Sequence, residues 1–168
     1  NRAGQLNAGV EAASGSILLF LHADTRLAPG FDTAIRSALC NTEVIAGAFR
    51  LCIDTPGLSI RAIERTVAVR SRIFQMPYGD QAIFVRERTF RDIGGFPLIP
   101  IMEDYEFVRR LRRLGRIQMI ELPAITSGRR WRRLGPWRTT RINQKVILGY
   151  HLGVSPERLA IWYRQASM

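Results

Sequence analysis

The order of apolar and polar residues along the chain predicts helices and strands that alternate. Leu6, Val10 and Ala13 recur at helical spacing, which predicts a helix in the first part of the chain. A short continuous apolar run, Ile17–Leu21, is typical of a strand that is buried on both faces, as in a parallel sheet. A proline then opens a second amphipathic helix, which we place at 29–40.

The same reading predicts three further strands and five further helices. The predicted strands are Val44–Ile53, Gln81–Val85 and Ile117–Leu122. The predicted helices are Leu58–Phe74, Thr89–Ile93, Glu103–Leu114, Thr139–Tyr150 and Pro156–Tyr163, with Gly128–Arg138 as a loop rich in arginine and tryptophan. Strands that alternate with helices indicate an α/β fold, and without an internal repeat or a low-complexity linker we expect one domain over 1–168.

Composition excludes several classes of protein. The chain has 168 residues, of which 46% are hydrophobic and 23% charged, so it is not disordered, fibrous or collagen-like. Its two cysteines are too few for a disulfide scaffold, and they form no C-x-x-C pair. The longest apolar run is far shorter than the roughly 20 residues that a membrane-spanning helix needs.

The charge is unusual, because 25 Lys+Arg against 14 Asp+Glu leave a formal net charge of +11, and Lys145 is the one lysine. The guanidinium group binds phosphate in a bidentate manner, so nucleic acid, an acidic membrane surface and a sugar diphosphate all fit as partners. The segment Arg129–Arg141, in which Trp131 and Trp137 alternate with arginines, supports one alternative function. This alternative is an arginine-rich module that binds nucleic acid or an anionic membrane surface.

Four short motifs are candidates for chemistry. His22-Ala23-Asp24 follows a buried strand, where a carboxylate can hold a divalent cation or simply cap a turn. Glu103-Asp104 opens a helix, so these acids either complement the helix dipole or act as a general base. Gly79-Asp80-Gln81 and Gly94-Gly95-Phe96-Pro97 are explained equally well as turns.

Taken together and in order, these motifs resemble those of family 2 glycosyltransferases, which have the GT-A fold. The matching residues are Asn7-Ala8-Gly9, Ala13-Ser14-Gly15, His22-Ala23-Asp24, Phe84-Val85-Arg86, Ile93-Gly94-Gly95-Phe96, Glu103-Asp104-Tyr105-Glu106, Arg109, Leu111 and Gly115. More narrowly, Leu18–Thr25, Tyr78–Phe84 and Met102–Arg116 are similar to a bacterial subgroup of radical-SAM/selenodomain-associated transferases. The resemblance covers about residues 1–155.

The resemblance implies a Rossmann-like, mainly parallel sheet with helices on both faces. It also implies transfer of a sugar from a nucleotide-diphosphate donor to an acceptor hydroxyl, with inversion and with Mg²⁺ or Mn²⁺ as cofactor. Asp24 would bind the metal, Asp104 would remove the acceptor proton, and Glu103 would orient Asp104. The other implied contacts are Arg2, Asn7 and His22 with the donor, and Asp80, Gln81, Arg130 and Trp131 with the acceptor.

The chain also departs from the family pattern. His22 stands where many relatives have the first aspartate of Asp-x-Asp, and histidine is a poorer ligand for Mg²⁺ than for Mn²⁺. His151 is a second candidate metal ligand, and a structural role for it is the alternative. The family's Gln/Arg-x-x-Arg-Trp element has a partial counterpart at 128–131, which could also be a solvated loop.

The chain begins at Asn1, inside a helical pattern and after the point where the family's first nucleotide-binding strands would stand. We therefore expect a domain that lacks those strands, has little activity alone, and exposes an apolar edge or face at Ile17–Leu21. The resemblance implies a cytoplasmic protein. With a lipid-linked acceptor it would also lie against the inner face of the membrane.

Overall fold

A five-stranded mixed sheet with helices on both faces forms the centre of the structure, a computed structural model that describes residues 1–167. The strands are β1 (Ile17–Phe20), β2 (Thr25–Leu27), β3 (Val44–Asp54), β4 (Ile83–Arg86) and β5 (Arg116–Ser127). The helices are α1 (Arg2–Glu11), α2 (Phe31–Cys40), α3 (Leu58–Ile73), α4 (Glu87–Asp92), α5 (Glu103–Leu111), α6 (Arg129–Leu134), α7 (Pro136–His151) and α8 (Pro156–Ser167). The α/β class that the sequence predicts is therefore confirmed.

The strand order is β1-β4-β3-β5-β2, and only the β3–β5 pair is parallel. The β1–β4, β3–β4 and β2–β5 pairs are antiparallel, so the sheet is mixed and not mainly parallel as we expected. Apolar content predicts that a strand is buried, but it does not predict the direction of its partner. In β1–β4, the pairing of Phe20 with Ile83 brings the residues that follow β1 beside those that precede β4.

The strand β1 is buried on both faces by its side chains, as its unbroken apolar sequence predicts. Leu18 and Phe20 pack with the cluster under α1, α4 and α5, and Ile17 and Leu19 pack with the cluster under α2. Its position is nevertheless at the edge of the sheet, and within residues 1–167 it pairs with β4 alone. An apolar run therefore identified a strand with two covered faces, although one of its backbone edges has no strand partner in the described residues.

Three elements differ from the prediction. The segment expected to be a loop forms α6 and the first turn of α7, separated by Gly135 at φ 79°. The strand β2 was missed, and β5 continues beyond Leu122 to Ser127. The sequence of α6 shows no apolar periodicity, because four of its six residues are arginines. Tertiary contacts stabilise this helix instead: Trp131 packs against the cluster that contains Ile60, and Arg132 donates a hydrogen bond to the carbonyl of Asp54 at 3.0 Å. Within residues 1–167, no helix is long and apolar enough to cross a bilayer.

The sheet interior requires glycine at one position, which allows a direct test of the packing. A Cβ on Gly47 in β3 would lie 2.2 Å from Cζ of Phe84, whereas a Cβ on Gly9 in α1 would contact nothing within 4 Å. We expect Gly47→Ala to lower the free energy of unfolding by about 3 kcal/mol through overpacking. Gly9→Ala is the control and should raise it by about 0.5–1 kcal/mol. Urea denaturation measures both; equal stability of the two variants would contradict the β3–β4 packing.

Candidate active site

A pocket of about 660 Å³ opens where β1 and β5 end, α5 begins and the helices α6–α8 pack together. Eight of the eleven site residues predicted from the sequence line it: Arg2, His22, Asp24, Asp80, Glu103, Asp104, Arg130 and Trp131. Asp24 and Asp104 therefore face one cavity although they are far apart in the chain. The two ends of the pocket differ in chemistry, because the carboxylates come from the loops and α5, and the aromatic and basic groups come from α6–α8.

The carboxylate of Asp104 is held by two backbone amides. The N–H of Gly79 donates to its Oδ2 at 2.7 Å, and the N–H of Tyr105 donates to its Oδ1 at 2.7 Å. The helix begins there because Met102 adopts the left-handed conformation at φ 69°, so the chain turns sharply into α5. Such a conformation in a residue other than glycine costs about 1–3 kcal/mol and is concentrated at functional sites.

Gly79 lies at the centre of the acidic end and leaves no room for a side chain. A Cβ there would be 2.6 Å from Nη2 of Arg2, 2.9 Å from Oδ2 of Asp104 and 2.9 Å from Nε2 of His22. These three side chains thus converge on one backbone atom, from α1, from the loop after β1 and from α5. The sequence is explained equally well by a simple turn at Gly79. In the structure, three side chains of the site pack around this glycine.

The surroundings of His22 favour its neutral form. Its Nε2 contacts Nη2 of Arg2, and because a guanidinium group can only donate, this contact requires the tautomer in which Nε2 accepts. Burial, and then the charge of Arg2, lower the pKa of His22. Arg2 also forms an ion pair with Glu103 at 3.1 Å, and burial together with the charge of Asp104 raises the pKa of Glu103.

Asp80 is the most perturbed carboxyl of the pocket. Burial, and then the nearby charge of Asp104, raise its pKa to about 6, and its Oδ1 is buried without a hydrogen-bond partner among residues 1–167. Beside it, the guanidinium group of Arg70 lies 3.7 Å from the ring centroid of Tyr78. Two carboxylates in one dry site repel each other, so one of them is readily protonated near neutral pH.

The other end of the pocket is basic and aromatic. The guanidinium group of Arg130 lies 4.5 Å from the ring centroid of Tyr163 and 3.5 Å from Oδ1 of Asn143. Its Nε and the hydroxyl of Thr139, a residue that is 1% exposed, are buried without a hydrogen-bond partner within the described part of the chain. Unpartnered donors in a pocket wall are the groups that a polar ligand would satisfy.

Three predicted site residues, Asn7, Gln81 and His151, are not among the residues that line the pocket. Asn7 joins α1 to the loop before α5 through a reciprocal pair of hydrogen bonds with the backbone of Phe96, at 2.9 and 3.0 Å. Gln81 is completely buried and donates to the carbonyl of Phe49 at 3.0 Å. His151 is exposed, with its Nε2 at 2.6 Å from the hydroxyl of Tyr105. Asn7 and Gln81 thus form hydrogen bonds with the backbone of distant segments. The sequence alone does not distinguish this structural role from ligand binding.

Of the two expected metal ligands, Asp24 lines the pocket and His151 does not. Asp24 lines the pocket, but the described residues contain no group of three or more His, Cys, Asp or Glu side chains that could hold a metal ion. A magnesium ion often takes one or two carboxylates and completes its shell with water and substrate phosphates. One carboxylate in this pocket fits such an ion when the phosphates come from the donor.

Several pocket residues escaped the sequence reading. Tyr105 and Tyr163 contribute rings, and Thr139 and Asn143 contribute polar groups from the inward face of α7. Thr139 and Asn143 are four residues apart on a helix whose neighbouring inward positions are apolar. Two polar residues at this spacing on an otherwise apolar face are the sequence signal that indicates a polar site. Nothing in the sequence indicated that this helix lines the same cavity as the carboxylates.

No protein-family model matches this chain, and no curated protein matches it either. The function is therefore inferred from the residues of the pocket. What they provide is an acidic end, held by backbone amides and an arginine, that faces a basic and aromatic end across one cavity.

Ionised Asp80 should destabilise the fold. Because its folded-state pKa of about 6 is above the ordinary 3.8, the folded state holds the proton more tightly, and the free energy of unfolding falls as pH rises between these values. We expect Asp80→Asn to raise it by roughly 2 kcal/mol at pH 8 and to change it little near pH 4. Thermal unfolding measured across this pH range tests the expectation.

The control is Asp92→Asn, which removes an exposed acid on α4 and should give no pH-dependent difference. Destabilisation by Asp80→Asn that is equal at pH 8 and at pH 4 would contradict the burial of an unfavourable charge.

Proposed function

We propose that this chain contains the catalytic site of a family 2 glycosyltransferase with a GT-A fold. It would transfer a sugar from a nucleotide-diphosphate donor to an acceptor hydroxyl, with inversion and with the help of a divalent cation. The observation that carries the proposal is the convergence of Asp24, from the end of β1, and Asp104, from the start of α5, on one pocket. Displacement at an anomeric carbon needs a group for the leaving diphosphate and a base for the attacking hydroxyl within the same cavity.

Asp104 is the proposed general base. The two amides that bind its carboxylate fix its orientation and leave lone pairs on both oxygens that can accept a hydroxyl proton. Glu103 and Arg2 form the ion pair behind it. In this role Glu103 is a positioning residue, because its partner Arg2 also contacts His22 and so links α5 to the end of β1.

Asp24 is the proposed ligand for the cation. A divalent cation supplies charge that stabilises the leaving diphosphate. Asp24 is exposed at the pocket, as a residue that meets both a metal and a substrate must be. Arg2 and the neutral imidazole of His22 lie beside it and are the proposed polar contacts to the donor.

The basic and aromatic end is the proposed acceptor subsite. Trp131 and Tyr163 offer ring faces, and the unpartnered Nε of Arg130 and hydroxyl of Thr139 offer donors to a polar acceptor. Asp80 lies at the acidic end and, with its raised pKa, can share a proton with an acceptor hydroxyl. The alternative function, an arginine-rich binding module, gives no reason for four carboxylates to line one pocket.

Donor binding can be tested without knowledge of the acceptor. We expect UDP- or GDP-sugars with Mn²⁺ to raise the melting temperature, by an amount that corresponds to about 2.7 kcal/mol at a ligand concentration 100 times the Kd. Asp24→Asn should abolish the Mn²⁺-dependent part of the shift, and Asp32→Asn, an acid of the first turn of α2, should keep it. A shift with an oligonucleotide and none with any nucleotide sugar would favour the alternative function.

Asp104→Asn tests the general base. In the natural protein we expect this variant to lower kcat by about 10²–10⁴-fold, while the Kd for the donor changes little. Asp32→Asn is again the matched control, because both variants remove a carboxylate from a first helical turn and lose about 0.3–1 kcal/mol of dipole interaction. Steady-state kinetics with calorimetric donor binding separate the two effects. Turnover of Asp104→Asn close to that of the unmodified protein would remove Asp104 from the mechanism.

A further inference from the structure

The outward face of α7 carries large apolar side chains that no other part of residues 1–167 covers. Trp137 is 64% exposed, Leu148 60% and Leu152 74%. At 3.6 residues per turn these positions fall within one narrow stripe of the helix, and Arg141 lies in the same stripe. Exposed apolar side chains at both ends of one helical stripe, with Arg141 and Gln144 between them and Leu152 at the C-cap, indicate a surface that binds a partner.

The same region is strongly cationic. Between Gly128 and His151 the sequence has six arginines and one lysine, and no acidic residue. On α7, Arg138, Arg141 and Lys145 are exposed beside the apolar stripe. Apolar and cationic groups on one helical face, together with a tryptophan, are the features of helices that lie in the interface of a membrane.

A second helix continues this chemistry. The helix α3 contacts α7 and exposes Leu58 (90%), Val69 (55%) and Ile73 (68%). The single acid of α3, Glu64, is 7% exposed and forms an ion pair with Arg61, so the outer side of α3 also presents no carboxylate.

We propose that the outward face of α7, defined by Trp137, Arg141, Leu148 and Leu152, docks on the surface of an anionic lipid bilayer. Phosphate groups of the lipid would meet the arginines and lysine, and the tryptophan and leucines would enter the boundary between headgroups and acyl chains. This proposal does not depend on the glycosyltransferase proposal.

Two other occupants fit the surface less well. Nucleic acid would satisfy the cations and could stack on Trp137, but it gives no role to the two exposed leucines. A second copy of the chain would cover the leucines, but it would oppose two surfaces of like charge on chains that each carry a net charge of +11.

Docking would also place the pocket close to the lipid headgroups. The inward face of the same helix supplies Thr139, Asn143 and Val146 to the pocket lining.

The test is sedimentation of the chain with vesicles of phosphatidylglycerol and phosphatidylcholine, and with vesicles of phosphatidylcholine alone. We expect binding to the anionic vesicles only, and its weakening as salt is added. The double variant Leu148→Gln, Leu152→Gln should lower the partition coefficient at least about tenfold, and Arg141→Gln should lower it about fivefold.

The matched controls are Leu114→Gln and Arg88→Gln, which make the same changes at exposed positions outside α3 and α7 and should bind as the unmodified chain does. Circular dichroism verifies that each variant is folded. Binding by the α7 variants that equals that of the controls, or equal binding to neutral vesicles, would overturn the proposal. So would tight binding of an oligonucleotide, or a dimer that forms through α7 in light scattering, when no vesicle is bound.

Discussion

The antiparallel pairing of β1 with β4 determines where the chemistry of this protein lies. Phe20 pairs with Ile83, so the chain leaves β1 at the same end of the sheet at which it enters β4. His22 and Asp24 therefore stand beside Gly79 and Asp80. The start of α5 is tied to this point by the bond from the Gly79 amide to Asp104, and a slip of this register would separate the two halves of the acidic cluster.

The acidic end of the pocket is assembled at a cost to stability. Asp80 and Glu103 have raised pKa values because burial penalises their charges, and Met102 and Ala82 adopt left-handed backbone conformations on either side of the cluster. Charges and strain of this kind persist only when the surrounding packing over-determines them. Here the packing comes from a dense aromatic cluster beneath the site, in which Phe20, Phe90, Phe96 and Phe107 contact one another.

The C-terminal helices α6–α8 supply the basic and aromatic end of the pocket. Through α7 the same element supplies polar groups to the pocket on one side and exposes cations and apolar side chains on the other. Glu106 joins α7 to α5, because its carboxylate accepts a hydrogen bond from the hydroxyl of Tyr150 at 2.9 Å and one from Arg109, on α5 itself, at 2.7 Å. If both proposals hold, ligand binding in the pocket and docking on a membrane involve opposite faces of the same helix.

The sequence by itself determined the α/β class and most of the elements, because burial periodicity is a local property. Eight of the pocket residues came from the resemblance to family 2 glycosyltransferases, since local chemistry left motifs such as Glu103-Asp104 open between a structural and a chemical role. It did not determine the direction of strand pairing, the helical state of α6, or the structural hydrogen bonds of the half-buried Asn7 and the buried Gln81. Those depend on partners distant in the chain, such as Phe96 for Asn7 and Phe49 for Gln81. Only the tertiary structure decides which polar side chains face the pocket. The physical reason is that the same side chain can form its hydrogen bonds either with a distant backbone group or with a ligand.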